Sequence, residues 1–238
     1  MKRTIPLMLL LVAGSVNAEM LEIQYKKFTI ILDCDTKSAV EWHYVATKDE
    51  GNAERLPDFY FDPNVPSRCQ QTSTKTYKNR KGMVKYDRGH LTPANAMDGS
   101  KQTIAQSNIM TNVLPQAAVM NRGAWLMTER YVECRRDNSP VTVIGGVFVG
   151  TTPPDGDFRL SHGVVAPEAF WKVAYFANDI IAWWVPNSSL ATAEMIDSYI
   201  VSVEEIERRI GKQIEVPIFL KDKTQLKTNA ITSNCDLS

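Results

Sequence analysis

The sequence predicts an α+β fold, and three features support this class. Short runs rich in β-branched and aromatic residues are typical of strands, and they occupy residues 28–32, 40–47, 141–149, 170–176 and 180–185. Residues 115–136 and 195–210 instead carry apolar side chains at three- and four-residue steps, which is the period of a helix. The strands precede and follow these helices without the regular alternation of a parallel α/β protein.

The first 18 residues have the layout of a secretory signal peptide. Lys2 and Arg3 form a short positive region, residues 5–13 are apolar, and residues 16–18 form a small-residue cleavage pattern. A membrane anchor is the alternative, but the apolar run is well short of the roughly 18 residues that span a bilayer. We therefore expect an exported protein, periplasmic or secreted, whose mature chain is a single domain over residues 19–238.

Residues 48–66 are polar and contain several prolines, which predicts a loop after the second strand. The next segment, residues 68–90, has seven Lys or Arg against one Asp, a local charge of +6. Without Lys2 and Arg3 the chain has 25 basic and 27 acidic residues, a net charge of −2. Global charge thus does not indicate a nucleic-acid partner, whereas this basic segment would hold a phosphate backbone without reading bases.

The two predicted helices have recognisable ends. The helix at residues 115–136 begins at a proline, which is favoured in a first turn. Gly123 lies inside it at a cost of about 1 kcal/mol relative to alanine, so we expect another backbone to approach closely there. The second helix ends at Gly211, and its apolar stripe consists of Met195, Tyr199, Val203, Ile206 and Ile210.

The chain has four cysteines, Cys34, Cys69, Cys134 and Cys235. An even number of cysteines in an exported chain predicts two disulfides. The sequence leaves all three pairings open. No two cysteines have C-x-x-C spacing, so a structural zinc site is not expected.

The motif with the clearest chemical content is Asp87-Arg88-Gly89-His90. In an extended segment alternate side chains share a face, so Arg88 and His90 point the same way and Asp87 points the other way. Arginine binds phosphate oxygens through two donors. A neutral histidine takes a proton from an attacking water. This pair suits the hydrolysis of a phosphodiester.

A second candidate site lies on the first predicted helix. Asn121, Trp125 and Glu129 follow each other at four-residue steps, so they form one slanted stripe. An amide oxygen and a carboxylate on the same side suit a hydrated Mg²⁺, which prefers oxygen ligands and keeps several waters. The alternative for either polar residue alone is an ordinary solvated helix face.

Together these segments resemble the DNA/RNA non-specific endonucleases, the Serratia-type nucleases of the ββα-metal superfamily. The D-R-G-H motif is unbroken at residues 87–90, an N-x-x-P-Q element stands at residues 112–116, and an N-x-G-A-W element stands at residues 121–125. Residues 199–207 resemble the family's C-terminal helix, so the resemblance covers about residues 42–210. It implies the ββα-metal nuclease fold, a mixed or antiparallel sheet with helices packed around it.

The resemblance also implies the roles of the central residues. His90 would be the general base that activates water. Asn121 would be the one direct protein ligand of Mg²⁺, for which Mn²⁺ is a substitute. Glu129 would orient metal-bound water.

Three further residues complete the implied site. Arg88 would lie near the scissile phosphate. Asn112 would support the site by hydrogen bonding, near His90 or the phosphate. The family places another arginine well upstream of its D-R-G-H motif; Arg55 is the candidate, and Arg68 is its competitor.

The implied function is that of an Mg²⁺-dependent endonuclease that cuts DNA and RNA with little regard for sequence and leaves 5′-phosphate ends. A catalytically silent secreted protein on the same fold, binding nucleic acid or another partner, is the alternative. A metal-independent phosphodiesterase with paired histidines is the third, although the three histidines, His43, His90 and His162, lie in unrelated segments. The sequence leaves open an inhibitor protein as a partner, and either a monomer or a homodimer.

Overall fold

The computed structural model describes residues 18–49, 51–78, 81–150 and 156–221, together with residues 223, 227, 228 and 235. Nearly all of the predicted signal peptide lies outside these residues, so its cleavage stays a prediction. In the described part of the chain, no helix has both the length and the apolar character needed to cross a bilayer.

Eleven strands form three sheets in the described residues. In chain order they are β1 (Met20–Gln24), β2 (Phe28–Asp33), β3 (Ser38–Ala46), β4 (Tyr86–His90), β5 (Val113–Ala117), β6 (Val141–Phe148), β7 (Asp157–Phe158), β8 (Val164–Val165), β9 (Ala169–Phe176), β10 (Asp179–Pro186) and β11 (Ile200–Val201). The main sheet has the order β1-β2-β3-β6-β9-β10-β11, and each pairing is antiparallel. The α+β class is therefore confirmed, as are all five predicted strands.

Five α-helices accompany the sheets in the same part of the chain: α1 (Lys101–Ser107), α2 (Ala118–Met120), α3 (Leu126–Arg136), α4 (Val203–Ile210) and α5 (Ile218–Lys221). α1 begins after Ser100, whose hydroxyl accepts a hydrogen bond from the Thr103 amide at 3.2 Å. α4 begins after Ser202, which caps the Glu205 amide at 3.1 Å in the same way. It ends at Gly211, which adopts the predicted left-handed conformation with φ of 67°.

The prediction of a continuous helix over residues 115–136 is wrong at its start, which is a strand, and in its middle, which is distorted. Pro115 lies in β5, opposite Arg88 of β4, because Val113–Ala117 pairs with the D-R-G-H strand instead of continuing into the helix. The helical chain then opens into a wide turn at Asn121–Trp125, where Gly123 has non-helical angles of φ −113° and ψ −109°. Regular helix resumes only at Leu126. The kink therefore lies between Asn121 and Glu129, the two polar site residues that the sequence places in one stripe.

Gly123 is the point of close backbone approach that the sequence predicts. A Cβ atom at this position would lie 2.9 Å from the Ala191 carbonyl oxygen and 3.0 Å from the Ala193 amide nitrogen. The neighbouring Ala124 amide donates to the same carbonyl at 3.2 Å. Because no side chain fits between Gly123 and this backbone, the segment around Ala191 packs directly against the kink and holds its shape.

The second predicted helix is half as long as its apolar stripe suggests. Residues Ala193–Tyr199 form 3₁₀ turns, and Ile200–Val201 pairs with β10 as the edge strand of the sheet. Only Val203–Ile210 is α-helical. Pairing at the sheet edge satisfies backbone groups that an isolated helix end would leave open.

The main sheet is covered on both faces. One face packs the side chains of Trp42, Phe170 and Trp183 against Trp125, α3 and the β4–β5 pair. The other face packs Ile144, Trp171 and Val173 against α4 and α5. The kinked helix that carries Asn121 and Glu129 is therefore packed against the strands of this first face.

Two disulfides form, as the cysteine count predicts, and the structure selects one pairing. Cys34 bonds to Cys69, which ties the end of β2 to the start of the basic segment. Cys134 in α3 bonds to Cys235 near the end of the chain. The second bond spans 101 residues and anchors the C-terminal segment to the helix that carries Glu129.

Candidate active site

The D-R-G-H strand presents its side chains on two faces, as the alternation predicts. Arg88 and His90 both contact the ring of Phe59: the Arg88 guanidinium carbon lies 4.1 Å from the ring centroid, and the imidazole centroid lies 5.4 Å from it. The Asp87 carboxylate points the other way and accepts hydrogen bonds from Asn121 and Arg122.

Four predicted site residues line one cavity of about 230 Å³. They are Arg55, His90, Asn121 and Glu129. They come from the proline-containing loop, from β4, from the wide turn and from α3, so only the folded chain brings them together. The cavity is mostly polar and opens to solvent, which suits a charged substrate.

The hydrogen bond of His90 fixes which ring nitrogen is free. Nε2 lies 3.0 Å from Asn108 Oδ1, while the Asn108 amide nitrogen donates to the carbonyls of Leu56 and Asp58 at 2.7 and 3.0 Å. Since that amide nitrogen already serves two carbonyl acceptors, Oδ1 is the atom that faces the imidazole. Nε2 must therefore donate, which leaves the lone pair on Nδ1.

The pKa of His90 is lowered from its ordinary value of 6.5. Burial is the largest cause, because the protein around the ring disfavours the charged form. The hydrogen bond to Asn108 opposes this shift, and the positive charges of Arg55 and Arg88 add to it. The imidazole is thus neutral, and able to accept a proton, already below neutral pH.

Asn121 is held by its amide nitrogen, which donates to Asp87 Oδ2 at 3.1 Å. The same carboxylate binds the Arg122 guanidinium through two contacts of 2.9 and 2.7 Å. Fixing the nitrogen leaves the Asn121 amide oxygen for another partner. Glu129 and Glu133 line the same cavity as Asn121, and amide and carboxylate oxygens are the donors that Mg²⁺ and Mn²⁺ prefer.

Glu129 is a half-buried carboxylate with a strongly perturbed acidity. Burial raises its pKa to about 7. The positive charge of Lys172 opposes this shift most strongly, Glu133 adds to it, and Arg55 opposes it weakly. Perturbed carboxylates of this kind are typical of catalytic clefts.

The structure separates the two arginine candidates. Arg55 lines the cavity and donates to Asn95 Oδ1. Arg68 lies on the surface and pairs with Glu19 at 2.6 Å. Arg88 donates to the Thr74 carbonyl at 2.8 Å, so it lies beside the cavity rather than in its wall.

Asn112 is fully buried, and its side-chain hydrogen bonds go to backbone groups rather than to the imidazole. Its Oδ1 accepts from the Thr92 amide at 2.9 Å, and its Nδ2 donates to the carbonyls of Thr92 and Ser107 at 3.0 and 2.8 Å. It therefore fixes the backbone directly after His90. The partner of the imidazole is Asn108, which the sequence analysis did not single out although it stands four residues earlier in the same polar segment.

The other two histidines lie away from the cavity wall. His162 is buried against Tyr77 at a centroid distance of 4.5 Å and bonds to the Lys75 carbonyl. His43 pairs with Glu41 on the main sheet. Neither side chain supplies His90 with a histidine partner, so the paired-histidine alternative has no geometric basis.

Comparison with known proteins identifies the family. The model of the DNA/RNA non-specific endonuclease family matches residues 13–218. The chain belongs to this family. A crystal structure of the EndoG/EndoGI complex shares the fold of this family member, with a TM-score of 0.62, 20% sequence identity, and coverage of 82% of this chain and 86% of that chain.

Several curated nucleases resemble this family member in sequence. It is 27% identical to the nuclease of Serratia marcescens over 207 residues, which are 83% of this chain and 75% of that protein. It is 26% identical to the mitochondrial nuclease EXOG of Xenopus laevis, over 79% of this chain and 56% of that protein. It is 27% identical to the human mitochondrial endonuclease G, over 62% and 53% of the two chains. The chain thus spans between about half and three quarters of the length of these relatives.

Proposed function

We propose that the protein is an exported, Mg²⁺-dependent endonuclease that hydrolyses phosphodiester bonds of DNA and RNA and leaves 5′-phosphate ends. The observation that carries this proposal is the shared cavity: the imidazole of His90, the amide of Asn121 and the carboxylate of Glu129 line its wall together. A protein that only binds nucleic acid has no need for a base and an oxygen donor set facing one cavity.

The imidazole of His90 acts as the general base. Its Nδ1 accepts a proton from a water as the water oxygen attacks phosphorus, while Nε2 stays bonded to Asn108. The bond from phosphorus to the 3′ oxygen then breaks and that oxygen takes a proton from solvent water, which gives one 5′-phosphate end and one 3′-hydroxyl end. Asn108 holds the ring in the tautomer that this step requires.

Positive groups surround the reacting phosphate. Arg55 lines the cavity, and Arg88 lies next to it across the Phe59 contact. Both stabilise the additional negative charge that develops on the phosphate oxygens. Since these groups contact phosphate rather than base edges, the cleavage has weak sequence preference.

The amide oxygen of Asn121 would be the one direct protein ligand of the divalent ion, and the carboxylates of Glu129 and Glu133 line the same cavity. Mg²⁺, when bound, supplies charge that stabilises the departing 3′ oxygen, and a single neutral ligand preserves most of that charge. Glu129 in its ionised form accepts hydrogen bonds from water in the cavity and orients it. Asp87 keeps the Asn121 amide turned with its oxygen available.

Two further parts of the proposal concern the compartment in which the enzyme acts and the proteins that bind it. Two disulfides support export, because such bonds persist in oxidising compartments. An inhibitor protein is a partner we expect, since the related EndoG structure is a complex with EndoGI that describes its inhibition. The mature chain would be a monomer or a homodimer.

A cleavage assay on plasmid DNA and on RNA tests the proposal. We expect both substrates to be degraded with Mg²⁺ or Mn²⁺, and both to stay intact with EDTA. His90→Ala should abolish turnover while retaining nucleic-acid binding. Intact substrates under all metal conditions, with binding retained by the wild-type protein, would instead support the catalytically silent alternative.

A further inference from the structure

Arg122 is an exposed arginine in the wall of the active-site cavity, and the proposed mechanism does not use it. It stands in the wide turn, directly after Asn121, and lines the same cavity as His90. Its side chain is 73% exposed. A cation that is open to solvent at this place can contact a strand whose scissile phosphate occupies the cavity.

The guanidinium of Arg122 is held in one orientation by Asp87. Nε donates to Asp87 Oδ2 at 2.9 Å, and Nη2 donates to Oδ1 at 2.7 Å. In the part of the chain that the structure describes, Nη1 has no acceptor, so its two N–H groups remain for another partner. The carboxylate is only 23% exposed, so the pair presents mainly its cationic donor to solvent. A donor that is already fixed loses less conformational entropy when it binds.

The Asn121 amide shows on which side of the site this donor lies. Its Nδ2 donates to the same Asp87 carboxylate at 3.1 Å, so Asp87 and Arg122 lie at the nitrogen end of the amide. The amide oxygen, the proposed ligand of the divalent ion, points away from them. Arg88 and His90 leave β4 on the face opposite to Asp87. The groups assigned to the scissile phosphate are therefore on the other side of Asn121 from Arg122.

We propose that Arg122 forms a subsite for a second phosphate of the substrate, the one next to the scissile phosphate along the same strand. The inference rests on the proposed function and deepens it, because the preferred substrate is then a strand with at least two phosphates rather than an isolated diester. Arginine suits this role, since its planar guanidinium offers several donors to phosphate oxygens. A contact to phosphate alone adds affinity without sequence preference.

The first test measures the binding of a short DNA duplex in EDTA, which removes divalent ions. We expect Arg122→Gln to weaken binding roughly fivefold and to reduce the slope of log Kd against log salt by about 0.9, the value for one lost phosphate contact on duplex DNA. Arg122→Lys keeps the positive charge and should restore most of the slope.

Arg208→Gln is the matched control for this test. Arg208 is 71% exposed and donates to Glu205 through Nε and Nη2, as Arg122 does to Asp87. It lies on α4, which packs against the other face of the main sheet. The control variant should keep the wild-type affinity and the wild-type salt slope.

The second test locates the phosphate that Arg122 contacts. Two trinucleotides each keep one cleavable diester and carry a neutral methylphosphonate on its 5′ or its 3′ side, and the all-phosphate trinucleotide is the reference for each bond. For the wild-type protein, we expect one of the two methylphosphonates to lower kcat/KM by roughly fivefold or more. In Arg122→Gln the same methylphosphonate should change kcat/KM by less than about twofold, because the contact that it removes is already absent.

The outcomes separate the subsite from a purely supporting role of Arg122 and from the proposed function. If Arg122 only holds Asp87, Arg122→Gln will bind Mg²⁺ more weakly in titration calorimetry but keep the wild-type salt slope in EDTA, and that result overturns the subsite. Equal methylphosphonate sensitivity of the two proteins also overturns it. A wild-type protein whose salt slope depends on Arg122, but which cuts nothing with Mg²⁺, would overturn the nuclease proposal alone.

Discussion

At the residue scale, the orientation of one imidazole determines the proposed chemistry. The amide nitrogen of Asn108 donates hydrogen bonds to two loop carbonyls, so its Oδ1 faces His90. This contact keeps the imidazole proton on Nε2. This choice could not be predicted from the sequence, because Asn108 acquires its partners from a loop some 50 residues earlier. The D-R-G-H motif identified the base, and the fold supplied the residue that orients it.

The first prediction concerns the loss of that orientation. Asn108→Ala should lower kcat roughly 10- to 100-fold and leave KM for DNA nearly unchanged, because the ring loses its favoured tautomer but the phosphate contacts remain. Steady-state kinetics on a defined duplex measure this. Asn64→Ala, on an exposed loop, is the control. An Asn108→Ala enzyme with wild-type kcat would contradict the tautomer assignment.

The second prediction concerns pH. Burial lowers the pKa of His90 below 6.5 and raises that of Glu129 to about 7. Both groups act in their deprotonated form, so kcat/KM should rise with pH through about 7, and the slope of its logarithm should approach two at lower pH. In Glu129→Gln the residual activity should follow His90 alone, with a slope of one and a midpoint below 6.5. An activity that is highest at pH 5 and falls toward pH 8 would contradict both roles.

The sequence predicted which residue types form the site better than it predicted their contacts. Arg55, His90, Asn121 and Glu129 line one cavity as expected. Asn112, which we expected to support the site by hydrogen bonding, holds the backbone of Thr92, two residues after His90. Lys172 could have been noticed as the one charged residue in an otherwise apolar strand, but its partner Thr128 is 44 residues away along the chain. Such long-range pairs follow from packing, which no local pattern encodes.

At the scale of elements, the kink at Gly123 places the candidate metal ligand. Regular helix from residue 115 to residue 136 would keep Asn121 and Glu129 in one stripe, whereas the observed wide turn changes their relation. Apolar periodicity predicted the helix but could not detect that Val113–Ala117 pairs with β4 or that Ala191 approaches the turn. Tertiary pairing outweighs helix propensity at both places.

The third prediction tests this kink. Gly123→Ala should lower the free energy of unfolding by about 1–3 kcal/mol, because the added methyl group meets the backbone of Ala191 and Ala193. It should also weaken Mg²⁺ binding, since the turn that holds Asn121 must shift. Urea unfolding and titration calorimetry measure the two effects. Gly99→Ala is the control, because its Cβ would meet only the flexible end of Lys27; equal stability of both variants would contradict the tight contact.

At the scale of the whole molecule, a seven-stranded sheet with both faces covered supports the kinked helix that carries two of the site residues. The sheet was predictable because buried strands such as β6 and β9 are almost continuously apolar. The disulfide pairing was not predictable, because four cysteines allow three pairings and only the folded chain brings Cys134 to Cys235.

The fourth prediction concerns the Cys134–Cys235 disulfide. Replacing both cysteines by alanine should lower the free energy of unfolding by up to about 5 kcal/mol, the chain-entropy value for a loop of this length. Guanidinium unfolding of the oxidised proteins measures the difference. Dithiothreitol should destabilise the double variant less than the wild-type protein, because one of the two bonds is already absent. Equal stability of the two oxidised proteins would show that the bond adds nothing.

The two disulfides also distinguish the newly made chain from the mature protein. If the chain is exported as we propose, a newly synthesised chain first passes through a reducing compartment, where disulfides rarely persist. The long loop to Cys235 would then be open, and α3 would lack its covalent tie to the C-terminal segment. On the proposed export route, the covalent tie on the helix that carries Glu129 would therefore form only after the chain has left the compartment that holds the cell's own nucleic acids.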